Sequence, residues 1–196
     1  MQIQNSIRGY VNSVIARDQA KFEKSPAVKK AAKKEAQAAL SDDVVAQIKE
    51  HAKKDAQVNV YQQKDYIQMI NAHKQQRVSP DRQEAISRAT LAINSVTGGK
   101  GSADLLSMLL GKYSMKAWVG GLVDTAEIYA PNGEMIAGYN SNGGWTEIST
   151  EAEYQFLNQA DQIYSEAFDE ARAEINAAAK ASVGENSSGA SFDMRA

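Results

Sequence analysis

His51 and His73 are the only imidazoles in the chain and cysteine is absent, so metal or nucleophilic chemistry would have to be built from two histidines and carboxylates. On one unbroken helix their separation corresponds to about 33 Å, far beyond the reach of a shared ion. His51 and Asp55, four residues apart, would supply half a site at most, and a surface hydrogen bond is the simpler use of that pair. Gly98-Gly99-Lys100-Gly101-Ser102 has the composition of a phosphate loop, but serine stands at position 95 and glycine follows the lysine, so an interhelical linker is expected. Asn140 to Gly144 lacks the spaced acids and closing glutamate of a calcium loop. Glu127, Glu134 and Glu147 fall near the expected sheet, where two could form a glycosidase-like pair, yet any acidic protein offers as much. The expectation is no catalytic residue, no cofactor and no metal.

What stands out instead is a cluster of amphipathic side chains around Ala126 to Ile148. Ala130-Pro131-Asn132-Gly133 suits a type I turn closed by a glycine bulge. Closing Ala130 against Glu134 sets Ile128 opposite Ile136 and Ala126 opposite Gly138 on one face. The other face then holds Tyr129 opposite Met135 and Glu127 opposite Ala137, with Tyr139 beside them. Trp145 to Ile148 is expected to return as a third strand. Tyr129, Met135, Tyr139 and Trp145 are therefore the candidate interaction surface, against the plainer reading of a structural meander.

The elements that must carry this hairpin are helical. Ile3, Ile7, Tyr10, Val11, Val14 and Ile15 predict an amphipathic helix to about Lys24. Ser25-Pro26 opens an alanine-rich segment carrying Lys29, Lys30, Lys33 and Lys34, a solvated basic face with little bulk for a core. Ser41-Asp42-Asp43 starts a stripe through Val44, Val45, Ile48, Ala52, Ala56, Val60, Ile67 and Ile70 as far as about Val78, with the β-branched, alternating Val58 to Tyr61 as its weak point. Ser79-Pro80-Asp81 starts another helix that stops at Gly98-Gly99. Leu105 to Val123 has the length of a membrane span but contains Lys112 and Lys116, so a buried helix over 103–110 and a connector are expected. Thr150 and Glu153 form a capping box before a long last helix.

The fold class is α+β and mainly helical: five or six helices, with one three-stranded antiparallel meander at about 125–148 before the long C-terminal helix. Residues 1–181 read as a single domain and 182–196, rich in Gly, Ser and Asn, as a disordered tail.

Charge is uneven. Up to Arg82 there are 15 Lys and Arg against 9 Asp and Glu, net +6; from Gln83 onward there are 7 against 15, net −8. Two such halves neutralise each other by packing together. The lysine run from Lys29 to Lys34 lacks the interleaved aromatics and arginines of a nucleic-acid surface. The first residues show no basic and apolar regions of a cleaved secretory signal, which favours a cytoplasmic protein or one exported without cleavage. In its polar start and lack of cysteine the composition resembles bacterial substrates of type III or flagellar export. The leading expectation is a non-enzymatic protein-interaction module of bacterial origin, with a protein partner or self-association. The alternative is an exported effector acting at membranes or on a target protein.

Overall fold

The computed structural model describes residues 26–96, 104–119 and 122–186. Among these, the order is α1 (Pro26–Ala39), α2 (Asp42–Val58), α3 (Lys64–Arg77), α4 (Arg82–Val96), β1 (Asp104–Leu110), β2 (Tyr113–Val119), β3 (Thr125–Tyr129), β4 (Met135–Asn140), β5 (Gly144–Glu147) and α5 (Glu151–Asn186). The fold is mainly helical α+β, with a small antiparallel sheet before a long C-terminal helix. The helix expected over residues 3–24 and the glycine-lysine linker at 98–102 lie outside the described residues.

Local chemistry explains most boundaries. Proline, whose missing N–H costs nothing at a helix start, is the first residue of α1. In α2, Asp42 and Asp43 occupy the positive first turn, and Asn59 closes the helix in the left-handed conformation at φ 56°. The cap of α4 is Asp81 rather than Ser79: its carboxylate accepts the Glu84 N–H at 3.1 Å. At α5 the capping box forms as expected, with Glu153 N–H to Thr150 Oγ1 at 3.3 Å and Thr150 N–H to Glu153 Oε2 at 2.7 Å. That helix continues to Asn186, so residues 182–186, expected in the tail, are helical, and 187–196 lie outside the described residues.

The sheet departs from expectation in three ways. It has five strands in the order β1-β2-β3-β4-β5, not three. Residues 104–110 form a strand instead of a helix, because Gly111 at φ +71° makes a two-residue turn that closes Leu110 against Tyr113. Burial of Tyr113, Met115, Ala117 and Val119 in β2 then follows a period of two. Finally, the Pro131-Asn132 turn closes as expected, with Ala130 N–H to Glu134 O at 2.8 Å and Tyr129 opposite Met135, but the register shifts immediately afterwards. Ile128 faces Ala137, Glu127 faces Gly138 and Ala126 faces Tyr139. Ile136 is the extra residue of the bulge, with its carbonyl held by Ile148 N–H at 2.9 Å and Arg82 Nε at 3.2 Å.

Two apolar cores result. In the helical core, α1, α2 and α3 pack around α5 through Ala36, Val44, Ile48, Tyr66, Ile70, Phe156 and Tyr164. Ala32, Ala36 and Ala39 of α1 are small enough for close approach, while its four lysines stay exposed. The sheet core places Ala85, Ala89 and Ile93 of α4 against Met115, Ala117, Ala126, Ile128 and Ala137.

Between the cores stands a buried ion pair. Arg82, at the start of α4, bonds both carboxylate oxygens of Glu153 in the first turn of α5, and its Nη2 also reaches the Ile148 carbonyl at 2.7 Å. Ser79 Oγ donates to the same carboxylate. Burial pushes the Glu153 carboxyl upward, but the Arg82 guanidinium, Ser79 and the Thr150 N–H outweigh it and hold it down at about 2.

Candidate functional site

The register shift decides the fate of the candidate hairpin surface. It moves Tyr139 onto the face of Ala126 and Ile128, where it packs with Trp145 at a ring separation of 5.1 Å. Trp145 Nε1–H donates to Thr90 Oγ1 of α4 at 3.0 Å, so both rings belong to the margin of the sheet core. Tyr129 and Met135 pair on the opposite face. There Tyr129 OH donates to Glu127 at 2.5 Å and Lys116 Nζ stands 5.2 Å from the ring centroid. The four residues are thus split two and two between opposite faces of the sheet.

The carboxylates do not converge either. Glu134 is buried and clasps the hairpin to α5, accepting the Glu151 N–H at 3.1 Å and Asn132 Nδ2 at 2.8 Å. Glu147 accepts from Gln83 at 2.9 Å. His73 Nε2 lies 3.3 Å from Gln47 Oε1, and His51 lies against the Tyr66 ring, 6.3 Å between centroids. Among the described residues no three possible ligands gather around one point. Leu105 to Val123, which motivated the membrane alternative, includes strands β1 and β2, and no helix among the described residues is long and apolar enough to cross a membrane.

The structure assembles a different surface at the corner between α2 and α3. The chain breaks its helical stripe at Asn59 and turns through Gln62, also left-handed at φ 50°. Asp55, 3% exposed, holds this corner from inside: it accepts Tyr164 OH at 2.6 Å and the Gln63 N–H at 3.1 Å. Tyr164 OH in turn accepts the Gln62 N–H at 2.7 Å. Burial, reinforced by hydrogen bonding to Asp55, lifts the Tyr164 phenol well above its ordinary range. Burial does the same to Tyr66, whose hydroxyl lies 3.5 Å from the Ala160 carbonyl. Phenols held protonated in this way serve as donors and packing groups, not as nucleophiles or bases at neutral pH.

With the backbone pinned from below, apolar side chains are turned outward. Val58, Val60, Tyr61 and Ile67 are 59, 48, 49 and 44% exposed. The Tyr61 ring stands edge-on to Tyr164 and Phe168, at 5.1 and 5.2 Å, so it is exposed yet supported. Next to it a groove of about 300 Å³ runs between α3 and α5. Tyr66, Ile70 and Leu157 line it with apolar surface, Ile67 adds an exposed apolar side, and Gln62, Asn71 and Asp161 supply polar edges. Gln62 Nε2 donates to Asp161 at 2.6 Å and ties the two sides together. The Tyr66 and Ser79 bonds to opposite ends of the first turns of α5 show that the two helices run antiparallel. Tyr154, 54% exposed, sits one turn before Leu157 on the same side of α5.

The apolar spacing places Val60, Ile67 and Ile70 on one helical stripe. Only Ile70 is buried, because the break at Asn59 rotates α3 relative to α2. The available signal was the unlike composition of Val58 to Gln63, in which β-branched and polar residues interrupt the alanine-rich pattern. Comparison with protein-family models, with curated proteins and with solved structures finds no match for this chain.

Proposed function

We propose that this chain is a non-enzymatic protein-interaction module that receives an amphipathic helix of a protein partner in the groove between α3 and α5. One observation supports this reading above the others. Four exposed apolar residues, Val58, Val60, Tyr61 and Ile67, gather at one corner beside a groove with an apolar lining, on a backbone fixed by Asp55 and Tyr164. Contiguous exposed apolar surface with polar edges marks interaction sites, and two antiparallel helices offer the shape into which a third helix lays residues spaced at i, i+3 or i+4, and i+7. A rigid corner limits the ordering cost of binding. The Asp161 carboxylate at the edge favours a partner helix with a basic residue beside its apolar stripe.

The test is selection from a displayed library of helical and extended peptides against the full chain. Enriched sequences should carry an apolar helical stripe, and their binding should fall at least tenfold in Ile67→Glu and Tyr61→Ala while Lys30→Ala binds normally. Enrichment of extended sequences, or binding indifferent to Ile67→Glu, would overturn the reading.

A further inference from the structure

The two edges of the sheet are built differently. β5 is short, four residues beginning at Gly144 with φ +75°, and the chain leaves it at once for the Ile148 bond to Ile136. Short edges of this kind resist adding a further strand. Beyond Asp104, β1 carries neither charge nor proline, and among the described residues no bulge interrupts its ladder. It is seven residues long, pairs among the described residues only with β2, and does so in unbroken register from Asp104 opposite Val119 to Leu110 opposite Tyr113. From Leu105 to Leu110 its sequence, LLSMLL, carries no charge and no proline.

Hairpin geometry fixes which backbone groups point outward. A two-residue turn with Gly111 at positive φ makes Leu110 and Tyr113 the hydrogen-bonded closing pair. Leu110, Met108 and Leu106 therefore direct their N–H and C=O groups at β2, and Leu109, Ser107 and Leu105 direct theirs at the edge. We propose that a second copy of this chain pairs there, β1 antiparallel to β1 about a twofold axis through Ser107, joining two five-stranded sheets into one of ten strands.

The strand is its own complement under that operation. Ser107 meets Ser107, Leu105 meets Leu109 and Leu106 meets Met108 of the other copy, so apolar positions oppose apolar ones and no like charges meet within this span. Three outward-facing residues in each copy exchange their backbone bonds, with Ser107 at the centre of the ladder. A twofold axis perpendicular to the sheet keeps both α4 helices on the same side, so the two sheet cores become continuous. Between Leu105 and Leu110 the edge has no charge to orient a charged peptide, whereas a self-complementary edge needs only another copy of itself.

Sedimentation velocity on the full chain, up to about 100 μM, tests this. The wild type should be a dimer, and Ser107→Pro, which removes an outward N–H without touching the β1–β2 ladder, should be a monomer with unchanged circular dichroism. Should proline unfold the sheet, Ser107→Cys gives an independent reading in a chain with no other cysteine. Residues directly opposite across such a pair have Cα atoms about 5.5 Å apart, within disulfide reach, so mild oxidation should yield a covalent dimer, whereas Thr146→Cys on β5 should not. A monomeric wild type, a dimeric Ser107→Pro, or equal cross-linking at both edges would overturn the proposal. Peptide binding in the α3/α5 groove is measured separately on Ser107→Pro, so failure of either reading leaves the other standing.

Discussion

The helical core and the sheet core solve the same problem with different materials. The first is gathered from both ends of the described chain, α1 to α3 and α5, and it tolerates a buried carboxylate, Asp55, in its interior. The second comes from one continuous stretch, α4 through β5, and its ionisable buried groups, Arg82 and Glu134, sit at its border with α5. In both, a buried charge appears where the chain must turn a corner and backbone groups would otherwise be orphaned. Asp55 serves the α2–α3 corner, and Arg82 serves the passage between cores by reaching two carbonyls as well as Glu153. Buried charge here fixes the route of the chain more than it adds stability, as expected when desolvation offsets Coulomb attraction.

Breaking the joint should have the largest effect. Arg82→Ala strands Glu153 in a nearly dry site, a loss of about 3–5 kcal/mol. Its distinctive outcome is separation of the two cores. Trp118 and Trp145 both lie in the sheet, so tryptophan fluorescence follows that core while far-ultraviolet dichroism is dominated by the helices. The two probes should trace one denaturant transition in the wild type and two in Arg82→Ala. A single shared transition in the variant would show that the cores do not depend on this pair for their coupling.

Acid sharpens the same comparison. Glu153 titrates at about 2 in the folded chain against 4.5 ordinarily, so the folded state binds its proton less readily than the unfolded one. That difference contributes about 3 kcal/mol above pH 4.5, diminishing as pH falls toward 2. Equilibrium unfolding measured from pH 6 to 2.5 should therefore show a downward slope that is shallower in Glu153→Gln.

The smallest effect belongs to the helical corner. Tyr164→Phe keeps the ring and removes the hydroxyl that serves Asp55 and the Gln62 N–H, a cost of about 1–3 kcal/mol. Loss should fall on the helical transition first. Equal loss on both probes would mean that the corner supports the whole molecule.

How far the sequence discloses these features depends on the range of the interaction responsible. The Thr150 and Glu153 capping box and the Pro131-Asn132 turn are contained within five residues, and both form as the residues dictate. The bulge at Ile136 is not legible locally, because its carbonyl is held by Arg82 and Ile148, the former far away in sequence. Through that one residue the expected surface of Tyr129, Met135, Tyr139 and Trp145 is divided. β1 hides for another reason: an unbroken apolar run is compatible with a buried helix or a strand. Gly111-Lys112 followed by the alternation of Tyr113, Met115, Ala117 and Val119 was the sign that favoured a hairpin. The groove was hidden because Ile67 and Ile70 fit one helical stripe with Val44 and Ile48 until Asn59 interrupts it.

The continuity of the sheet core has a consequence for synthesis. Contacts among α4 and β1 to β5 all join residues that leave the ribosome before Ile148, so this core can close while the remaining chain is still being made. The helical core cannot, since Phe156, Ala160 and Tyr164, around which α1 to α3 pack, follow the sheet in the chain. The earlier helices therefore wait for a strut that is made only after the whole of the sheet.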